Sequence, residues 1–127
     1  MTSVLNVDTI ADKAGTGPVG LTKQAAVKVF AHSNNITPAL ENALNTASLT
    51  DGGSGKFTYN FTNNMSDATY ATCEQSGEES GASGNASIRT TSASHRTTSL
   101  FRTSNRNSSN SLTDAGQSNI CVFGDLA

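Results

Sequence analysis

Two histidines, two cysteines and ten carboxylates are the side chains of this 127-residue chain that could bind a metal or move protons. Their spacing argues against both roles. His32 and His95 each stand without a carboxylate nearby in sequence, and no HExxH or paired-histidine spacing occurs. A zinc site needs three or four converging ligands, which folding alone would have to assemble, so both histidines read as surface residues. Cys73 and Cys121 lie far apart and fit no metal spacing. They read as free buried thiols made in a reducing cytoplasm, or as a disulfide between adjacent strands if the mature protein lives outside the cell. None of the many serines sits in a GxSxG elbow. Glu78 and Glu79 lie in a Gly/Ser stretch where nothing adjacent would raise a carboxyl pKa. A glycosidase needs two carboxyl groups held in a cleft, and there is no Trp to stack on a sugar. The GTG at residues 15–17 lacks the strand, helix and further spacing of a phosphate cradle. The expectation is a protein without catalytic residues, metal or cofactor.

Composition sets what must position any other site. The length suits one domain with a short arm. Ser, Thr and Asn exceed a third of the residues, while only 14% are charged and 2 are Pro. Disordered chains are usually polar through Glu, Lys and Pro; this composition suits solvent-facing strand positions and tight turns instead. Apolar residues make up 35% and aromatics 6%, a thin supply for a core, which weakly favours an oligomer that buries one face of a sheet. Net charge is -2, so no nucleic-acid footprint is expected. The one basic stretch, Arg89 to Arg106, holds four Arg and His95 among Ser and Thr. It reads as spaced charges on solvent faces of strands, with contact to an acidic glycan or a neighbouring subunit as the alternative. No apolar run reaches membrane-spanning length, and no basic n-region follows Met1, so neither membrane insertion nor a signal peptide is expected.

The pattern along the chain is one of short strands and turns. Residues 2–10 alternate as a strand, and Gly15, Gly17, Pro18 and Gly20 punctuate a loop. A strand is expected from about Ala25 to His32, then a turn at Asn34 and Asn35. Pro38 to Asn45 reads equally as a short helical turn begun by Pro38 and as a distorted strand or loop. Thr46–Thr50 and Lys56–Thr62 flank a DGGSG hairpin loop, with Phe57, Tyr59 and Phe61 on one face of the second strand. Further strands are expected at Ala68–Gln75, Asn85–Ser92, Thr97–Ser104 and Gln117–Gly124. The core expected from this alternation is Phe57, Tyr59, Phe61, Tyr70, Ile120 and Val122. Strands about ten residues apart predict an all-β, antiparallel β-sandwich, jelly-roll-like, over residues 25–127, preceded by an extended N-terminal arm over residues 1–24.

The two ends carry a further signal. The opening VLNVDTIADKAGTGPVGLTKQ, Val4 to Gln24, resembles the N-terminal segment of small tail-fibre-like proteins of marine bacteriophages. The segment Asp51 to Thr72, with its GKFTYNFTNNMSDATY hairpin, is similar to a hairpin of the same proteins, and the ending ICVFGDLA resembles their terminus. Together these cover about half of the chain; Glu74 to Gln117 departs most. The resemblance implies a virion component outside the cell, made in the host bacterial cytoplasm, homotrimeric, built on a β-sandwich, and bound to other tail or capsid proteins.

On that reading Val4, Leu5, Val7, Ile10, Pro18, Val19 and Leu21 form a docking arm able to add a strand to a neighbour's sheet edge. Glu78, Glu79, Asn105, Arg106, Asn107 and Asn110 stand in candidate surface-binding loops toward host glycan or receptor. The expected function is a tail fibre or fibre-tip module contacting the host. A capsid decoration protein is the alternative, favoured by a chain too short for a shaft and without coiled-coil heptads. A non-viral carbohydrate-binding module is the remote one.

Overall fold

The computed structural model describes residues 26–77, 87–88 and 95–127. The arm residues Val4 to Leu21 and the loop carboxylates Glu78 and Glu79 lie outside the described residues. The described chain is all-β. In order its strands are β1 (Val27–Asn34), β2 (Ala39–Leu44), β3 (Thr46–Asp51), β4 (Lys56–Phe61), β5 (Ala71–Gly77), β6 (Ser87–Ile88), β7 (Arg96–Thr97), β8 (Leu100–Arg106) and β9 (Gln117–Phe123). They form two antiparallel sheets. One runs β2-β1-β9-β5; the other runs β3-β4-β8-β6, with β7 also paired to β8.

Alternation explains how the sheets stack. Successive strand residues point to opposite faces, so every second residue can be apolar and turned inward. The first sheet contributes Val29, Ala31, Ile120 and Val122; the second contributes Phe57, Tyr59, Phe61 and Phe101. Tyr70 joins them, its ring set edge-on to Phe61 and Phe101 at centroid distances of 6.0 and 6.4 Å. All six residues expected in the core lie in this buried cluster. Truncating Phe57 to Ala would cost about 3–5 kcal/mol, because a buried ring leaves a cavity the rigid strands cannot close.

One end of this core is polar. Ser33, Asn35, Asn105 and Ser118 are all buried. Ser33 Oγ bonds the Tyr59 hydroxyl at 2.8 Å and donates to Asn35 Oδ1 at 2.9 Å. Asn35 and Asn105 each donate through Nδ2 to Ser118 Oγ, at 2.8 and 3.2 Å. Burial pushes the Tyr59 phenol above its ordinary pKa, only partly offset by Ser33 and its neighbours.

The other end is closed by two segments quoted above for their resemblance. Met65, buried, bridges Leu126, and Ser66 N donates to Asp125 O at 2.8 Å. A side chain at Gly124 would meet Met65 Cε at 2.9 Å, so that glycine permits the close approach.

Three expectations change and one open reading is decided. Of the two readings the sequence allows for the stretch after Pro38, residues 39–44 form the distorted strand and not the helical turn. Leu40 and Ala43 are three residues apart, as on a helix, yet both pack on the core. A bulge opposite His32 and Ser33 resets the alternation between them. The Asn34 side chain caps the preceding turn, accepting from the Ile36 and Thr37 amides. The strand expected from Ala68 begins at Ala71, because Asp67 accepts from both the Thr69 amide and hydroxyl and holds the turn. Those bonds, from the Thr69 hydroxyl first, keep the Asp67 carboxyl below the usual carboxylate range.

The strand expected over 97–104 is broken at Thr98 and Ser99, whose carbonyls accept from Met65 and Phe61. The Thr97 hydroxyl accepts from the Ser99 amide, a local bond that competes with the ladder. Finally, the thiols are not buried: Cys73 is exposed and Cys121 half-exposed. Both point to the outer face of the first sheet, because Thr72, Glu74, Ile120 and Val122 take the inward positions. Of the expected strand at 85–92, the described part is Ser87–Ile88.

Candidate ligand-binding face

The residues turned away from the core on β4 and β8 form the outer face of the second sheet. The phase that buries Phe57, Tyr59 and Phe61 turns Lys56, Thr58 and Asn60 outward. On β8 the same phase turns out Arg102, Ser104 and Arg106. The register then sets Lys56 opposite Ser104 and Thr58 opposite Arg102. Toward β3, Asn60 Nδ2 donates to Ser48 Oγ and Thr50 Oγ1, both at 3.0 Å, so this flank is a hydroxyl and amide surface.

A cavity of about 390 Å³ opens on this face. Lys56, Thr58, His95, Arg102, Ser104 and Arg106 line it, with Gly52 and Leu112 at its rim. Among the described residues, the lining contains three of the chain's eight Lys and Arg and no carboxylate. In a chain of net charge -2 that is a strong local segregation of positive charge. A lined concavity of one sign focuses field and attracts counter-charged ligands.

The rim is built by close backbone contact. The β3–β4 turn is closed by Gly52 N to Lys56 O and Lys56 N to Gly53 O, each 2.8 Å. Gly53 and Gly55 take the left-handed backbone, at φ 91° and 69°. Gly55 is also wedged against the 105–114 segment. Its carbonyl accepts from Asn105 N at 2.7 Å, and its amide donates to Asp114 Oδ1 at 2.7 Å. A Cβ there would lie 2.6 Å from the Asn105 carbonyl oxygen. Ser54 Oγ donates to Leu112 O at 3.4 Å on the same rim.

Arg106 is aimed by its neighbours. Its Nη1 donates to the Asn110 carbonyl at 2.7 Å. That carbonyl is presented by a tight turn in which Asn107 accepts from Asn110 N through its carbonyl and from Ser111 N through Oδ1. Asn110, at φ 62°, is the residue type that tolerates this conformation.

The loop residues chosen from sequence thus separate. Arg106 lines the cavity, Asn107 and Asn110 build the turn that holds it, and Asn110 is exposed. Asn105 is corrected outright: β8 runs through it, its side chain is 0% exposed, and it belongs to the buried polar layer. Lys56, Thr58 and Arg102 lie outside the loops to which the sequence points. The alternation that assigned Phe57 and Tyr59 inward already sent Lys56 and Thr58 outward; the pairing of β4 with β8 was not legible.

The other histidine has a different setting. His32, on the outer face of the first sheet, lies with Nε2 2.9 Å from Glu41 and Nδ1 2.6 Å from Asn119 Oδ1. The β2 bulge brings Glu41 there, which the sequence separation concealed. Among the described residues no group of three or more His, Cys, Asp or Glu could hold a metal, and no helix is long and apolar enough to cross a membrane. Set against known protein families, curated proteins and solved structures, the chain matches none of them.

Proposed function

We propose that this chain is a structural protein of a bacteriophage virion, a tail fibre or fibre-tip module that meets the host surface through the cationic face of its second sheet. The single observation that carries the host-contact part is the clustering of Lys56, Arg102, Arg106 and His95 beside Thr58 and Ser104 in one cavity, with no carboxylate among its described lining residues. Such a surface suits an acidic saccharide: cations meet carboxylate or sulfate groups, and hydroxyls meet sugar hydroxyls. The resemblance of the arm, hairpin and terminus to tail-fibre-like proteins supplies the virion part. The arm over residues 1–24 docks on the tail, and three copies associate.

The association face is the outer side of the first sheet. There Leu44, Phe30, Cys121 and Cys73 stand in one row across β2, β1, β9 and β5, with Phe123 beside them. Leu44 is 48% exposed. This apolar row also favours the second reading, a capsid decoration protein that seats the same face on the head lattice.

Imaging virions with a labelled antibody tests the assignment. Tail labelling is the expected result; head labelling overturns the fibre reading in favour of decoration, and no labelling overturns both. With tail labelling, purified protein should block adsorption to host cells, and failure to block at receptor-saturating concentrations makes the protein purely structural.

A further inference from the structure

We propose that Cys73 and Cys121 form a cross-strand disulfide that staples edge strand β5 to β9. They are the only cysteines in the chain. The antiparallel register sets them directly opposite one another. Directly opposed residues in such a ladder have Cα atoms about 4.5–5.5 Å apart, inside the roughly 4.4–6.8 Å span a disulfide bridges. Both side chains turn to the same outer face, and neither is buried in the single chain, so an oxidant can reach them before that face is covered by association. No backbone movement along the sheet is needed to bring them together.

The place in the fold gives the bond a purpose. Among the described residues β5 ends its sheet and is paired only through β9. Its last residue, Gly77, leads into the 78–86 stretch. A covalent bond at Cys73 holds the strand from which that stretch departs, where backbone hydrogen bonds on one side alone would let it fray. The chemistry is thiol–disulfide exchange with a low-molecular-weight disulfide. One cysteine thiolate attacks the small disulfide and releases one small thiol. The second cysteine then attacks the mixed disulfide and releases the other. Overall two protein thiols are oxidised, one small disulfide is reduced to two thiols, and the protons pass to those thiols. The purified protein suffices to test the bond; only its presence in the mature particle rests on the virion-exterior reading.

Full-length protein equilibrated with oxidised glutathione should lose both free thiols and about 2 Da of intact mass, the two hydrogens of the exchange. It should run unlinked to other chains on a non-reducing gel and yield one linked peptide pair holding Cys73 and Cys121. Amide exchange over residues 71–77 should slow about tenfold on oxidation and recover with dithiothreitol. Cys73→Ser and Cys121→Ser should each abolish the mass loss and the slowing. Two persistent free thiols, stable glutathione adducts, or disulfide-linked dimers as the main product would each overturn the proposal. Antibody labelling absent from virions would instead remove the virion reading and leave the bond measured in purified protein standing.

Discussion

The two outer faces of the sandwich are made by one rule and end with opposite chemistry. On both, each strand sends alternate residues away from a shared core. On the first sheet those positions hold an apolar row of Leu44, Phe30, Cys121 and Cys73 with Phe123 beside it, and next to it a polar row of Asn42, His32, Asn119 and Gln75, with Glu41 paired to His32. On the second they hold Ser48, Thr50, Lys56, Thr58, Asn60, Arg102, Ser104 and Arg106. Core packing cannot explain the difference, since both sets point away from the core. An apolar outer face lowers free energy only when something covers it, whereas a cationic and hydroxyl face is stable in water and repels its own copies. On the function proposed above, the first side serves assembly and the second recognition.

Gly55→Ala should break the cationic face most severely. The added methyl meets the Asn105 carbonyl in a left-handed backbone, so the rim must open. The expected cost is on the order of 3 kcal/mol, read by urea unfolding, with loss of any polyanion affinity. Reversing the charge at Lys56, Arg102 and Arg106 together should weaken binding to a sulfated polysaccharide about a hundredfold while leaving association intact. Calorimetry across salt concentrations checks it: an affinity indifferent to salt would show that charge is not the basis of binding.

Changing the other side should do the converse. Phe30→Ser with Leu44→Ser should lower the association constant by about tenfold or more, seen by sedimentation, with polyanion binding unchanged. If both variants lost both properties, the two faces would not be separate functions. The smallest effect concerns the core between them. Burial pushes the Tyr70 phenol up to about 12, against the lesser effect of nearby Arg96, and its hydroxyl donates to the Leu100 carbonyl at 2.9 Å. The unfolded phenol ionises near its ordinary value of 10.0. The folded state thus holds the proton longer, so the contribution of Tyr70 is full below pH 10 and is lost as pH rises toward 12. Tyr70→Phe should flatten that part of the stability profile; an unchanged slope would place the alkaline loss elsewhere, with Tyr59 the next residue to replace.

Much of this was written in local sequence. KFTYNFT alternates so cleanly that its inward rings follow from the twofold period of a strand alone. DGGSG reads as a hairpin loop from its glycines, and the structure puts two of them, Gly53 and Gly55, in left-handed backbone. The same period placed Ile120 and Val122 inward; that it also turns Cys121 outward ran against the expectation of a buried thiol. Strand partnership lay beyond it. Lys56 and Arg102 share a cavity because β4 pairs with β8 across a long stretch of chain, and no local pattern encodes that choice. The bulge that brings Glu41 to His32 is likewise a response to pairing. Asn105 reads as a loop residue by type; burial in the polar layer at the end of the core made it structural. Alternation therefore determined which residues of a strand share a face, while residue type alone misplaced Asn105 and the two thiols. Tertiary pairing alone decided which outward side chains meet, because contacts between strands distant in sequence depend on how the sheets close over one core.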